Sequence, residues 1–295
     1  MRAFAMFFGL ILAGLAAMAL LAYPAWLLLH PHFDFPFHRI GARIGMLALL
    51  VGIILMARRL GVADRASLGY GAPRRLFMGQ LLRALVLGVA MMLPVVAAMA
   101  LLGLREWKPG VSLDVWSMAQ LALGGLGTGL TVALLEETFL RGAMFTAIQR
   151  ESGAKAAIVL TALVYSATHF FARYRIPADE VTSSSGLDLL AGILHTFSDP
   201  LAIADAFLCL FGVGVVLGMV RADTGSIAAC IGLHAGWVWI ITFIRETSVP
   251  NRDGTLGFLV SQFDGVVGWL LLAWTVVMGI VLQRLYDRQA LTGAV

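Results

Sequence analysis

Long runs of apolar residues, separated by short polar segments, fill the sequence from end to end. A helix needs about 20 mainly apolar residues to cross the roughly 30 Å hydrocarbon core of a bilayer. These runs are continuous, whereas the strands of a membrane barrel alternate over segments of about ten residues. The pattern therefore predicts about eight membrane helices, at residues 4–29, 41–57, 81–104, 118–149, 154–172, 201–220, 226–244 and 264–283.

The composition agrees with a membrane protein. Of the 295 residues, 60% are hydrophobic and 13% are charged, and the mean hydropathy is +0.89. Soluble globular proteins average about 45–50% apolar and about 25% charged residues. Because no soluble domain, internal repeat or low-complexity tract interrupts the runs, we predict a single membrane domain over residues 1–295. Its fold class is all-α, a polytopic transmembrane helical bundle.

The basic residues predict the orientation of this bundle. With the N-terminus inside, 13 of the 21 Lys and Arg residues fall in inner segments and eight in outer ones. Cytoplasmic loops carry an excess of basic residues, so both termini are expected in the cytoplasm. The excess of Arg over Lys, 19 to 2, is associated with GC-rich bacteria, which suggests the bacterial inner membrane. No basic patch with interleaved aromatic residues lies outside the spans, so the expected partners are lipid and not nucleic acid.

Three charged residues interrupt the apolar segment TVALLEETFLRGAMF. A charge at the centre of a membrane helix costs roughly 2.5–3.5 kcal/mol on insertion scales, so such residues are functional candidates. Glu137 and Arg141 are four residues apart with the acid first, which is the favoured order for an ion pair on a helix. Glu136 points about 100° away and cannot share Arg141 in the same way. A cluster that only joins helices is the structural alternative.

Two histidines are predicted within the membrane near these charges. A helical hairpin turning at residues 151–153 places Glu136 and His169 at nearly the same depth, because each lies about 16 residues from the turn, at about 1.5 Å per residue. His234 lies inside another predicted span. Three polar side chains at compatible depth indicate a site more than they indicate packing.

Two kinds of chemistry fit a carboxylate and two imidazoles. A glutamate in a low-dielectric site can take a proton from water while a histidine orients that water or stabilises the oxyanion. A His, His, Glu set also resembles the ligands of catalytic zinc. The zinc signature HExxH is absent, however, and the three side chains come from separate helices. Serine chemistry is less well supported, since no GxSxG occurs.

Three motifs resemble those of the CPBP family, which comprises CAAX proteases and bacteriocin-processing enzymes. EETFLR matches EExxxR, VYSATH matches an aromatic residue followed four positions later by His, and IGLHAGWV is similar to the late motif with a single His. The resemblance covers roughly residues 120–245. The CPBP family includes type II CAAX prenyl endopeptidases, which are intramembrane glutamic proteases with a helical bundle around a cavity open to the cytosol.

The resemblance implies roles for the site residues. Glu136 would be the general base, His169 would position water or substrate, and His234 would stabilise the oxyanion. Glu137 and Arg141 would hold the motif in shape, and neither a metal nor another cofactor is expected. The substrate would be a membrane-associated protein or peptide, such as a prenylated protein or, in a bacterium, a leader peptide or anchored precursor.

One position departs from the family pattern. Many members carry Asn four residues after the last His, whereas this chain has Val238, which has no side-chain donor. Losing one oxyanion donor typically costs about 10²–10³ in rate. Either His234 acts alone, or Trp237 or Trp239 offers its indole N–H, or the protein is a weak or inactive member. Because the other motif residues are intact, we expect activity.

Two other functions stay open at this point. An inactive family member could act as an immunity or scaffold protein, and a small transporter could use the buried glutamate as a proton carrier. Transporters more often show inverted repeats and broken helices in corresponding halves, which this sequence lacks.

Further polar positions are expected to have other roles. The loop HPHFDFPFHRI is predicted to form an interfacial aromatic belt, although a metal site is the alternative reading of His30, His32, Asp34 and His38. The insertion at 172–200 is predicted to contain a short interfacial helix over LDLLAGILHTF, with His195 at the interface. Cys209 and Cys230 lack CxxC spacing and are expected to be packing thiols.

Overall fold

The computed structural model describes residues 1–112, 114–171 and 173–292, and the side chains up to residue 285. Within these ranges the chain forms nine α-helices, one π-helix and two short strands. The α-helices, α1 to α9 in chain order, are Arg2–Leu29, Phe37–Met56, Arg74–Leu101, Val115–Glu137, Phe145–Thr168, Ser185–Thr196, Ala204–Thr224, Ala228–Thr247 and Trp269–Thr292. The π-helix Thr138–Met144 joins α4 to α5, and strands β1 (Arg105–Trp107) and β2 (Ser248–Pro250) pair antiparallel.

The prediction of a helical membrane bundle is confirmed. Six helical segments of the described chain are long and apolar enough to cross a membrane, when Val115–Thr168 is counted as one segment of 54 residues. Gly153 divides that segment, because its φ of 82° is left-handed and breaks the helix. The hairpin turn predicted at 151–153 is therefore present. A shorter apolar segment, Trp269–Leu285, corresponds to the last predicted span.

Several predicted span limits shift in the structure. The third helix begins at Arg74, seven residues before the predicted start, because its first turns are basic and were assigned to a loop. The last helix begins at Trp269, five residues after the predicted start. The predicted fifth span ends at residue 172, which lies outside the described residues.

Helix α8 is the centre of the core and packs between α3 and α4. Its glycines let the backbones approach closely, as is common between membrane helices. A Cβ added at Gly232 would lie 2.3 Å from the carbonyl oxygen of Leu81, and one at Gly236 would lie 2.7 Å from that of Leu85, both on α3. On α4, a Cβ at Gly129 would lie 2.6 Å from the carbonyl oxygen of Ala235. These contacts fix the position of α8, which bears His234.

The remaining helices surround this core. Helix α7 packs against α5 and α9, and α1 packs against α2 as a hairpin. The short helix predicted within the insertion is present as α6. It packs on this hairpin through Leu189 and Ile193, which lie in one buried cluster with Met18 and Ala22. His195 on the same helix is exposed.

The bundle has two polar ends. The N-terminal face carries Met1, whose ammonium group donates a hydrogen bond to Glu151 beside the hairpin turn. The opposite end, called the strand face below, carries β1 and β2. There the Arg105 side chain donates to the hydroxyl and the carbonyl of Ser248, at 2.8 and 2.7 Å. The strands thereby tie the segment after α3 to the end of α8.

Candidate active site

The EExxxR motif lies where α4 passes into the π-helix. Helix α4 ends at Glu137, and Thr138–Met144 adopts i→i+5 geometry. Single π-helical turns are rare and occur frequently at functional sites. The spacing of the motif predicts a regular α-helix here, whereas the structure has a π-helix.

Glu137 and Arg141 form a fully buried ion pair. Arg141 Nη1 donates to Glu137 Oε1 at 3.0 Å, and both side chains are 0% exposed. Arg141 Nη2 also donates to the carbonyl oxygen of Gly214 on α7, at 3.1 Å, and its guanidinium lies over the Tyr165 ring. A buried ion pair is tolerated only with good geometry and further hydrogen bonds; these contacts provide several, whereas Arg141 Nε and Glu137 Oε2 have no partner among the described residues.

Glu137 has a second partner that the sequence did not reveal. His234 Nδ1 lies 2.8 Å from Glu137 Oε1, so the same carboxylate oxygen contacts both Arg141 and His234. A carboxylate only accepts hydrogen bonds, so Nδ1 of His234 carries the proton and donates. Nε2 is left facing the Tyr165 hydroxyl at 3.5 Å. Glu137 and His234 are 97 positions apart, and in the sequence only their similar predicted depth in the membrane related them.

Glu136 differs from Glu137 in its exposure and in having no arginine partner, although each glutamate has one oxygen without a hydrogen-bond partner among the described residues. Its side chain is 35% exposed, and its Oε2 lies 4.0 Å from His234 Nε2. That oxygen has no hydrogen-bond partner among the described residues. A gap of 4.0 Å is too long for a direct hydrogen bond, and a polar contact at such a distance is commonly bridged by water.

His169 is held in one tautomer at the end of α5. Its Nδ1 lies 2.7 Å from the carbonyl oxygen of Tyr165, which can only accept, so Nδ1 carries the proton and Nε2 is an acceptor. The Tyr165 and His169 rings are in edge contact at 4.4 Å. His169 and Glu136 line one cavity, as the predicted hairpin requires.

This large cavity has a volume of about 640 Å³ and lies between the α1–α2 hairpin and the π-helix region. Most of its lining is apolar and comes from α1 and α2. Pockets of about 300–1,000 Å³ with few polar groups are typical of small-molecule sites. Glu136 and His169 are among its few polar groups, so a bound apolar group would lie beside them.

A smaller cavity of about 240 Å³ lies on the other side of His169. His169, His234, Tyr165, Trp237 and Val238 all line it. Trp239 instead packs against α4, since a Cβ at Gly125 would lie 3.0 Å from its Cδ1. The structure thus brings Trp237, but not Trp239, to the same cavity as His234.

Arg221 is a buried residue that sequence reasoning assigned to an inner loop. It is 6% exposed near the end of α7. Its Nε donates to the carbonyl oxygen of Arg141 at 2.9 Å, and Nη2 donates to Thr146 Oγ1 at 3.2 Å. Arg221 therefore supports the backbone of the π-helix at Arg141, the arginine of the EExxxR motif.

The remaining candidates are the polar residues of the segment between α1 and α2 and the two cysteines. Among the described residues, no group of three or more His, Cys, Asp or Glu side chains is placed to hold a metal ion. Between α1 and α2, His30 stacks on Trp26 at 4.4 Å, and Phe33 stacks on Phe35. Cys209 and Cys230 are buried free thiols.

Comparison with known proteins identifies the segment that contains these residues. Residues 118–240 match a family model described as type II CAAX prenyl endopeptidase Rce1-like. Glu136, Glu137, Arg141, His169 and His234 all lie within the match. No curated protein and no solved structure matches the chain.

Proposed function

The chain belongs to the CPBP family of CAAX-type intramembrane proteases through residues 118–240, and from this premise we propose that it is a glutamic endopeptidase. It hydrolyses a peptide bond of a membrane-associated protein or peptide. Family membership implies protease activity in a membrane. The proposal adds the glutamic mechanism and its residues, Glu136, His169 and His234.

The contrast between the two adjacent glutamates is the observation that favours this mechanism most. Glu137 is fully buried and paired with Arg141, so its charge is already balanced. Glu136 has no arginine partner and lines the large cavity beside His169. A carboxylate with an unpartnered oxygen facing a cavity can accept a proton from water, which a general base must do. Glu136 is therefore the base, and Glu137 is a positioning residue.

The hydrolytic step follows from this arrangement. One water bridges Glu136 Oε2 and the imidazoles, and the acceptor Nε2 of His169 orients it. Its oxygen bonds to the carbonyl carbon as Glu136 takes the proton. When the C–N bond breaks, that proton passes to the leaving nitrogen. The products are a carboxylic acid and an amine, and the enzyme returns to its starting state.

His234 is proposed to stabilise the oxyanion of the tetrahedral intermediate. Its Nδ1–H is held by Glu137, so Nε2 must also carry a proton to donate to the substrate oxygen. The oxyanion role therefore requires the imidazolium form, flanked by the carboxylates of Glu136 and Glu137. Preorganised donors of this kind are usually the largest single contribution to acyl-transfer catalysis.

The Tyr165 hydroxyl is the candidate for the donor that Val238 lacks. It is buried with its oxygen 3.5 Å from His234 Nε2, and both groups line the small cavity. A phenol is a hydrogen-bond donor. Tyr165 and His234 can thus donate to one oxyanion together, without an amide at position 238.

The proposal is tested by replacing Glu136 with Gln, which keeps the shape and removes the base. We expect cleavage to fall by about 10²–10⁴, the typical contribution of a general base, while thermal unfolding of the purified protein is unchanged. Substrates are identified by comparing the membrane and secreted proteomes of cells with either form. The matched control is Glu106→Gln on β1, at the exposed strand face. Near-normal processing by Glu136→Gln would exclude the glutamic mechanism.

We also propose that catalysis requires no metal. In the mechanism above, water and substrate use the Nε2 atoms of His169 and His234, and among the described residues no group of three or more His, Cys, Asp or Glu side chains is placed to hold a metal ion. Elemental analysis of the purified protein is expected to show less than stoichiometric zinc, with activity unchanged by chelators. One zinc per chain, lost together with activity on chelation, would make the protein a metalloprotease instead.

A further inference from the structure

The small cavity has no role in the mechanism above beyond housing the donors. It is bounded by α3, α7, α8 and α9. At its inner end lie Tyr165, His169 and His234. At its other end lie Arg245, which is exposed, and Asp264, which is half-buried in the loop before α9. It therefore leads from the proposed site to the strand face.

We propose that this cavity conducts water from the strand face to the catalytic residues. The use of that water in catalysis rests on the proposed function, whereas the cavity is observed in the structure. Hydrolysis consumes one water per bond, and an apolar substrate group that fills the large cavity blocks access from that side. A second route lets water reach His169 and His234 while the substrate is bound.

The dimensions of the cavity admit water along its length. His234 and Arg245 are eleven residues apart on α8, which corresponds to about 16 Å along the helix axis. A cavity needs about 10–15 Å³ of volume to hold one water, so a volume of about 240 Å³ has room for several waters between the two ends.

Polar groups occur at both ends and midway along the route. One face of α8 presents His234, Val238, Thr242 and Arg245 in succession, and Thr275 on α9 faces the same space. The hydroxyl of Thr275 donates to the carbonyl of Leu271, which leaves its oxygen able to accept from water. Buried waters typically make about three hydrogen bonds, and these groups supply partners between the mouth and the site.

The direction of the route can be assigned relative to the chain ends. The mouth lies beside β2, whereas Met1 and Glu151 lie at the N-terminal face. If both termini are cytoplasmic, as the charge distribution predicts, the route opens on the extracytoplasmic side. Water would then reach the site from the side opposite to the termini.

Cysteine accessibility tests the route without requiring a substrate. Thr242→Cys and Thr275→Cys place thiols on the cavity wall. Val276→Cys is the matched control, because this neighbour on α9 is 52% exposed on the outer surface of the bundle. Each protein is reconstituted in sealed vesicles of known orientation and treated with 2-sulfonatoethyl methanethiosulfonate, an anionic reagent that does not cross bilayers. The native cysteines are both buried and give the background.

We expect both cavity thiols to react at least about tenfold faster than Val276→Cys, because only a hydrated thiol ionises to the reactive thiolate. The reaction should occur only from the strand face. Reaction no faster than that of the control, or only from the N-terminal face, in proteins with normal thermal unfolding would overturn the proposal. Labelling of both thiols together with an active Glu136→Gln variant would refute the glutamic mechanism and leave the water route intact.

Discussion

The core around α8 and the α1–α2 hairpin are both made of apolar helices, but they are held together differently. In α8, 61% of the most apolar window is buried, against 11% in α2. The core helices meet backbone to backbone at glycines, whereas α2 contacts little besides α1. The proposed catalytic residues all belong to the core side, and the hairpin supplies mainly apolar lining to the large cavity. The proposed catalytic residues are thus held by a tightly packed core, and they face a cavity whose other side is formed by the more exposed α1–α2 hairpin.

The largest difference in stability between the two regions is expected when one arginine in each region is replaced by Met. Arg141→Met removes the cation that balances Glu137 inside the core. Breaking a buried ion pair in this way typically costs about 3–5 kcal/mol, so we expect low yield and a large fall in thermal stability. Arg43→Met in the hairpin removes an exposed charge, and surface substitutions usually stay within about 0.5 kcal/mol.

Thermal unfolding in detergent compares the two arginine variants directly. Equal effects would mean that the Glu137–Arg141 pair does not stabilise the core. Glu137→Gln should resemble Arg141→Met in stability, and it should also impair catalysis because His234 loses the acceptor for Nδ1.

The next largest difference in stability is expected when one glycine in each region is replaced by Ala. A Cβ at Gly232 would lie 2.3 Å from the Leu81 carbonyl oxygen, whereas one at Gly9 on α1 would meet nothing within 4 Å. Gly232→Ala should therefore force α8 away from α3 and cost about 1–3 kcal/mol, as overpacking typically does. Gly9→Ala should leave stability unchanged or slightly raised, since Ala is the better helix former. A tolerated Gly232→Ala would show that the α3–α8 contact can widen.

The sequence allowed much of this arrangement to be predicted. Continuous apolar runs predict membrane helices by length, and the four-residue spacing of Glu137 and Arg141 predicted their ion pair. The turn at residues 151–153 placed Glu136 and His169 beside one cavity. These are properties of local periodicity and depth, which a single sequence displays.

The rest depends on contacts between distant segments. The Glu137–His234 hydrogen bond joins residues 97 positions apart, and no local pattern specifies it. Arg221 lies near a helix end, where basic residues are usually interfacial, but its main acceptor is a backbone carbonyl of the π-helix. The π-helix itself preserves the apolar composition of a membrane span, so hydropathy does not reveal it.

The smallest effect is expected at Val238, where the core departs from the family pattern. Asn at this position would lie one helical turn from His234 and on the same face, so Val238→Asn restores a donor beside the oxyanion. If Tyr165 already donates there, Val238→Asn alone should hold or modestly raise the rate. An unpartnered buried amide would cost roughly 1–3 kcal/mol, but a hydrated small cavity supplies partners and lowers that cost. Val238→Leu, which adds volume without a donor, is the control.

The effect of Val238→Asn on turnover should become larger when the Tyr165 hydroxyl is also removed. Tyr165→Phe should lower turnover by about 10², the typical loss for one oxyanion donor, and adding Val238→Asn should restore part of it. His234→Ala should lose nearly all activity in either background, because His234 is the proposed charged donor to that oxygen. Turnover is measured on a substrate from the proteome comparison, beside thermal unfolding of each variant. If Val238→Asn folds normally yet abolishes cleavage while His234→Ala retains it, the third motif is packing and the oxyanion must be stabilised elsewhere.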